Sequence, residues 1–288
     1  MAFIEVNGAR LAWQQLGEGP DLILVHGLAT SRAFWMPTAM RLQTRFRVTL
    51  FDLRGHGYSS RPQQGYRPQD FAADLVGLMD ALQLQRAALV GHSYGGAAAL
   101  EAAGLIGDRV THLGLLDTRV ARLQPLMRLH DGPRISEVEK QVAATTAHDW
   151  AALPQVGYLF LEAAARMQLS GQPVQARDDF APFGQGRGAA RAAKAWLDLL
   201  DQTSARADLD QPGMHEDRIA ALAMPVYLIY AEYSRCAASA EALRRLLPQA
   251  RYRLVADAGH FFPLSQPDWV AQWIEALVSE TSSAEPGR

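Results

Sequence analysis

The segment Val90-Gly91-His92-Ser93-Tyr94-Gly95-Gly96 holds the residues of this chain best suited to covalent chemistry. An apolar run of strand type, Ala87 to Val90, precedes it, and a helical run, Ala97 to Leu105, follows it. A strand that turns abruptly into a helix around a serine presents the hydroxyl bare, where it can attack a carbonyl carbon. Such a turn forces strained backbone angles on Ser93, and a side chain at Gly91 or Gly95 would clash. The N-terminus of the following helix also favours negative charge developing at the site. A serine hydroxyl still needs a base to take its proton at neutral pH, and the chain offers eight histidines. Of these, His112, His130, His148 and His215 lack metal-ligand spacing to a partner. The single cysteine, Cys236, can close no intramolecular disulfide and build no zinc site alone. No metal or cofactor is therefore expected, and a reducing compartment is.

The elements that must position these groups can be read from the pattern of apolar residues. Asn7-Gly8 between Ile4-Glu5-Val6 and Arg10 to Gln14 is a hairpin signal. Asp21 to Val25, Arg47 to Phe51 and Ala87 to Val90 are continuous apolar runs, as expected of strands buried on both faces. Between the last two, Phe71, Leu75, Leu78 and Leu82 recur at helical spacing within Pro68 to Leu84. His112 to Leu116, Pro225 to Tyr230 and Tyr252 to Val255 read as further strands, and Trp269 to Ser279 as a closing helix. The expected fold class is α/β, a mostly parallel sheet covered by helices on both faces. Thr118 to Gly213 breaks the pattern: it has no strand-like run, is rich in Ala, Leu, Gln and Arg, and is marked by loops such as Ser170 to Pro173 and Pro182 to Gly186. The expected division is a core of 1–117 and 214–279, a helical cap of 118–213, and a flexible tail of 280–288.

Composition excludes several classes. With 288 residues, 49% hydrophobic and 20% charged, the chain has enough apolar surface for a sizeable core and is no disordered segment. Lys and Arg number 28 against 30 Asp and Glu, a net charge of −2 too even for a nucleic-acid partner. No run is long and apolar enough to span a membrane. Met1 to Glu5 lacks a signal-peptide core, so a cytoplasmic, soluble protein is expected.

Four motifs in order, His26-Gly27, Asp52 to Ser59, Gly91 to Gly96 and Ala258-Gly259-His260, resemble those of the α/β-hydrolase superfamily over about residues 3–279. The resemblance implies that His260 is the base for Ser93, and that the backbone N–H groups of Leu28 and Tyr94 form an oxyanion hole. It further implies that His26 supports the oxyanion loop and that His92, beside the nucleophile, is structural. Phe34, Trp35 and Phe261 are expected to line the substrate pocket, with simple core packing the equal alternative for each. Trp150, Tyr158, Phe160, Met167, Phe180, Phe183 and Trp196 could equally form cap core or roof a cavity.

The triad acid is where the chain departs from the pattern. Ala231-Glu232-Tyr233-Ser234-Arg235-Cys236 holds Ser234 where most relatives carry aspartate, and a neutral hydroxyl cannot stabilise an imidazolium. Three readings stay open: Asp117 at the end of an earlier strand, as in some lipases and lactonases; Glu232; or no acid at all. Relatives with an ordinary acid also carry Leu-Leu-Asp-Thr at the position of Leu115 to Thr118, so Asp117 is not decided by its presence.

The function expected is a serine hydrolase cleaving an ester, thioester, lactone or related carbonyl bond of a small apolar molecule. Dehalogenase and epoxide hydrolase chemistry is disfavoured, because those relatives carry Asp where Ser93 stands. The rivals are a cofactor-free oxygenase, lyase or cyclase on the same scaffold, and a catalytically weakened hydrolase-like binding protein. Substrate and oligomeric state are not written in the motifs.

Overall fold

Asn7 and Gly8 both adopt positive φ, 47° and 73°, the geometry of a two-residue hairpin turn whose twist matches its flanking strands. They join β1 (Ala2–Val6) to β2 (Ala9–Leu16), with Val6 opposite Ala9. The chain continues through β3 (Asp21–Val25), α1 (Met36–Leu42), β4 (Arg47–Phe51), α2 (Pro68–Ala81), β5 (Ala87–His92), α3 (Tyr94–Leu105) and β6 (Val110–Leu116). The computed structural model describes residues 1–172, 182–184 and 187–279. The expected tail 280–288, Phe180, and the loop residues Pro173, Gln185 and Gly186 lie outside the described residues.

After β6 the described residues form α4 (Glu137–Ala144), α5 (Gly157–Leu169), α6 (Arg187–Gln202), α7 (Ala205–Asp208) and α8 (Glu216–Ala220), with one isolated bridge, Met127 to Gln155. Then come β7 (Val226–Ala231), α9 (Ala237–Leu246), β8 (Arg251–Val255), α10 (Phe262–Ser265) and α11 (Pro267–Ser279). The eight strands form one sheet in the order β1-β2-β4-β3-β5-β6-β7-β8, antiparallel at β1–β2 and β2–β4 and parallel elsewhere.

Alternation along the central strands feeds two apolar layers, because successive side chains point to opposite faces of a sheet. Ile23, Val25, Leu89, Leu113, Leu115 and Leu228 join α2 and α3 in one layer. Leu22, Leu24, Val90, Leu116 and Ile229 join α1 and α11 in the other. This is why those strands read as continuous apolar runs. A third cluster, with Leu129, Val138, Val142, Trp150 and Met167, packs within the helices between β6 and β7. Helix α2 ends three residues before Leu84: Gln83 takes φ 56°, and the Leu84 N–H reaches back 2.8 Å to the Met79 carbonyl, closing the helix in a left-handed turn. No described helix is long and apolar enough to cross a membrane.

Candidate active site

Three loops at the carboxyl ends of β3, β5 and β6 meet the loop after β8, where ligand sites of parallel sheets form. The β5–α3 turn supplies Ser93, at φ 56° and ψ −125°, a strained conformation that the surroundings must enforce. They do so by close approach. A Cβ on Gly91 would lie 2.4 Å from the Gly95 carbonyl oxygen, and one on Gly95 would lie 2.3 Å from that of His26. The Ser93 N–H is held by the Leu116 carbonyl at 2.9 Å, so β6 fixes the turn from the other side.

His260 links the serine to a carboxylate. Its Nε2 lies 3.0 Å from Ser93 Oγ, and its Nδ1 lies 2.6 Å from Asp117 Oδ2. Asp117 is wholly buried, while the His260 side chain is 33% exposed, so the pair is sheltered at one end and reachable at the other. The second carboxylate oxygen, Oδ1, accepts the Ala231 N–H at 3.1 Å, and the Asp117 N–H donates 2.7 Å to the Ile229 carbonyl. Asp117 itself sits at φ 48°, a left-handed kink that aspartate tolerates better than most residues.

The other candidate acid, Glu232, and Ser234, at the position where most relatives carry aspartate, both turn to nearby backbone. Glu232 Oε2 accepts the Asp257 N–H at 2.8 Å near the surface. Ser234 is buried, and its Oγ accepts the Cys236 N–H at 2.8 Å at the entry to α9. A hydroxyl suffices for that turn. The Cys236 thiol lies within 4.8 Å of the donor atoms of both Asp117 and His260. Burial, with the nearby Asp117 carboxylate, pushes it up and keeps it protonated.

The loop expected to carry the oxyanion donors begins at His26. Its Nε2 accepts the Leu53 N–H at 3.0 Å, so the proton sits on Nδ1, which faces the Gly27 carbonyl at 2.8 Å. A Cβ on Gly27 would lie 3.0 Å from Ser93 Cβ and 3.4 Å from its Oγ, so the backbone leading to Leu28 is pressed against the Ser93 side chain. Tyr94 is the first residue of α3, where no carbonyl of the same helix can accept its N–H. Its hydroxyl donates 3.0 Å to the Tyr66 carbonyl.

Phe34 and Trp35 correct the expected pocket. Trp35 is fully buried and Phe34 nearly so, both in the layer with α1 and α11. Facing that layer lets these large rings escape water, so core packing, not an open pocket wall, accounts for their burial. Phe261 stays half-buried, its ring 4.9 Å from that of His260. Of the described residues left between cap core and pocket, Trp150 and Met167 are buried in the third cluster, and Phe160 packs against it. Trp196 joins the main layer, with Tyr158 and Phe183 packed against that layer.

One positioning network carried no sequence motif. Gln124 Nε2 donates to the Arg235 carbonyl at 2.6 Å, the Ser239 hydroxyl donates to Gln124 Oε1 at 2.8 Å, and the Val120 N–H donates to Ser239 Oγ at 3.0 Å. Arg235 also pairs with Glu139 of α4. Together they tie the chain after Asp117 to the loop after β7. Isolated polar residues 96 to 119 positions apart leave no trace in a sequence pattern.

Two buried histidines set an acid limit on the fold. Burial lowers His26 to about 4 and His56 to about 3 from 6.5. As pH falls below 6.5 the unfolded chain takes up these protons first, so stability complete above that pH is lost on acidification. Each group contributes a slope of up to about 1.4 kcal/mol per pH unit. Urea midpoints should fall between pH 6.5 and 5, where carboxylates titrate little. A flat midpoint over that interval would mean that the folded state accepts the protons.

Residues 20–267 match the profile of the alpha/beta hydrolase fold. The chain belongs to that family. This α/β-hydrolase is 31% identical over 156 residues to the 2-(acetamidomethylene)succinate hydrolase of Mesorhizobium japonicum, covering 52% of this chain and 56% of that one. It is 38% identical over 103 residues to the pimeloyl-[acyl-carrier protein] methyl ester esterase of Aliivibrio salmonicida, covering 36% of this chain and 38% of that one. The matches thus span 56% and 38% of the two relatives' lengths. Among solved structures, an N-acyl homoserine lactone degrading enzyme superposes with a TM-score of 0.70 at 22% identity, over 96% of this chain and 100% of that one. At that identity the likeness is one of fold.

Proposed function

We propose that this α/β-hydrolase is a serine hydrolase acting on an ester, thioester, lactone or related carbonyl bond of a small, largely apolar molecule. The observation that carries the reading is the run Ser93 Oγ, His260 Nε2, His260 Nδ1, Asp117 Oδ2, with contacts of 3.0 and 2.6 Å. In this reading Ser93 attacks the carbonyl carbon while His260 takes its proton at Nε2. Asp117 keeps the other proton on Nδ1 and stabilises the imidazolium. The N–H groups of Leu28 and Tyr94 receive the negative charge that develops on the carbonyl oxygen. His260 then returns the proton to the leaving group, and water, deprotonated by the same histidine, releases the acyl group. Residues 118–213 serve as the cap that selects the substrate. Half-buried Leu28, Ala29 and Tyr94, packed on the main apolar layer, favour an apolar acyl group.

Two relatives of the matched family act on an amide-containing and an ester-containing compound by name, which agrees with acyl transfer without naming this chain's substrate. The test is a fluorophosphonate probe together with p-nitrophenyl esters of graded chain length. Stoichiometric labelling located at Ser93, with burst kinetics on the esters, is the expected outcome. A folded protein that neither labels nor turns over any ester would overturn the proposal and leave a binding role.

A further inference from the structure

His92, the last residue of β5, is wholly buried among the loops that converge on the site. Its ring lies almost parallel to Phe34 of the oxyanion loop, 4.7 Å between centroids and 17° between planes. The His260 ring lies 4.7 Å away on a tilted approach. His92 Nε2 stands 2.8 Å from the main-chain carbonyl oxygen of His260. A nitrogen facing a carbonyl at that distance must carry the proton, so Nδ1 is the bare nitrogen. That Nδ1 is buried with no hydrogen-bond partner among the described residues. An orphaned buried acceptor is unfavourable, so a histidine is a poor choice if the position only needs filling. Phenylalanine would stack on Phe34 and strand no polar atom.

The donor, then, is what position 92 supplies. β5 is paired on both sides, His92 itself standing opposite Leu116 of β6. His260 by contrast rides on a loop that leaves the edge strand β8, whose other ties include Tyr233 N–H to the Ala258 carbonyl at 3.0 Å. We infer that His92 is a positioning residue, whose Nε2–H anchors the His260 main chain to the rigid centre of the sheet so that the imidazole keeps both Ser93 and Asp117 in reach. The inference rests on the reading of His260 as the base. Burial, reinforced by the neighbouring His260, holds His92 well below the usual histidine range. The anchor therefore stays neutral and adds no charge against a forming imidazolium.

The experiment compares His92→Gln with His92→Asn and His92→Phe. The glutamine amide nitrogen overlays Nε2 and can still donate to the carbonyl; the asparagine amide stops at the position of Nδ1, and phenylalanine has no donor. The readouts are kcat and KM for a p-nitrophenyl ester, the rate of fluorophosphonate labelling, and the urea midpoint. His92→Asn and His92→Phe are expected to lose about 10- to 100-fold in kcat and in labelling rate, the scale of a displaced catalytic group. KM should stay within about twofold of the parent, since a displaced base leaves substrate binding intact. His92→Gln should recover most of the rate. Equal rates for Gln and Asn, or a Phe variant as fast as the parent, would overturn the inference, because packing alone would then explain the residue. Should Asn or Phe fail to fold, the other still sets a donor-less side chain against Gln; should Gln fail, a Phe variant as fast as the parent still overturns the inference. Failure of the underlying reading shows elsewhere, as a parent protein that the probe does not label.

Discussion

Ser93→Ala is expected to lower kcat on a p-nitrophenyl ester by about six decades, the scale of nucleophile removal in serine hydrolases. The reason is geometric. Ser93 Oγ is the atom that His260 Nε2 faces at 3.0 Å, on a half-buried residue. Alanine tolerates the same strained angles no worse than serine, so the urea midpoint should barely move. Steady-state kinetics with a probe titration of residual active sites measures the loss. His260→Ala should fall as far, and the double variant no further, because the two residues act as one unit. Turnover of some other substrate that survives Ser93→Ala but dies with His260→Ala would mean that the histidine works without a covalent step. Lyase or cofactor-free oxygenase chemistry would then replace hydrolysis.

Asp117→Asn should cost about three to four decades in kcat, as removal of a triad carboxylate does. Asp117 is wholly buried, with Oδ1 taken by the Ala231 N–H and Oδ2 by His260 Nδ1. Turning one oxygen into an NH2 puts a donor where the imidazole needs an acceptor. If that NH2 faces His260, Nδ1 must give up its proton, Nε2 carries it instead, and Ser93 meets an N–H rather than a base. Glu232→Gln should stay within about twofold, since Glu232 Oε2 serves the Asp257 N–H near the surface and a surface hydrogen bond contributes little. The comparison of the two variants at matched urea midpoints is the check. A silent Asp117→Asn beside a dead Glu232→Gln would move the acid to the loop after β7.

Much of this molecule was legible before any coordinate. The strands could be read because a strand covered on both faces must be apolar at every position, as Leu22 to Val25 and Ala87 to Val90 are. The sharp turn at Ser93 was readable because Gly91 and Gly95 meet backbone at 2.4 and 2.3 Å, a constraint that allows one residue type. Phe34 and Trp35 misled, because an aromatic residue near a catalytic loop has the same letter whether it faces substrate or core. His92 and the Gln124–Ser239 network escaped for a related reason. Their partners, the His260 carbonyl and the Arg235 carbonyl, are backbone atoms that any residue would present.

Local rules, then, determined the elements and the turn at Ser93: two-residue and 3.6-residue periodicities, glycine sterics and hairpin chemistry all act within a few positions. Which carboxylate reaches His260 was decided by the sheet alone. Asp117 lies 143 positions from its partner along the chain, and β6 lies beside β5 on one side and β7 on the other. That parallel packing sets Asp117 at the strand end beneath the histidine loop, while Ser234, where the family pattern expects the acid, turns to the backbone of Cys236. A hydrogen bond of 2.6 Å between two loops needs their strands registered against one another, and register between distant strands is a property of the assembled sheet.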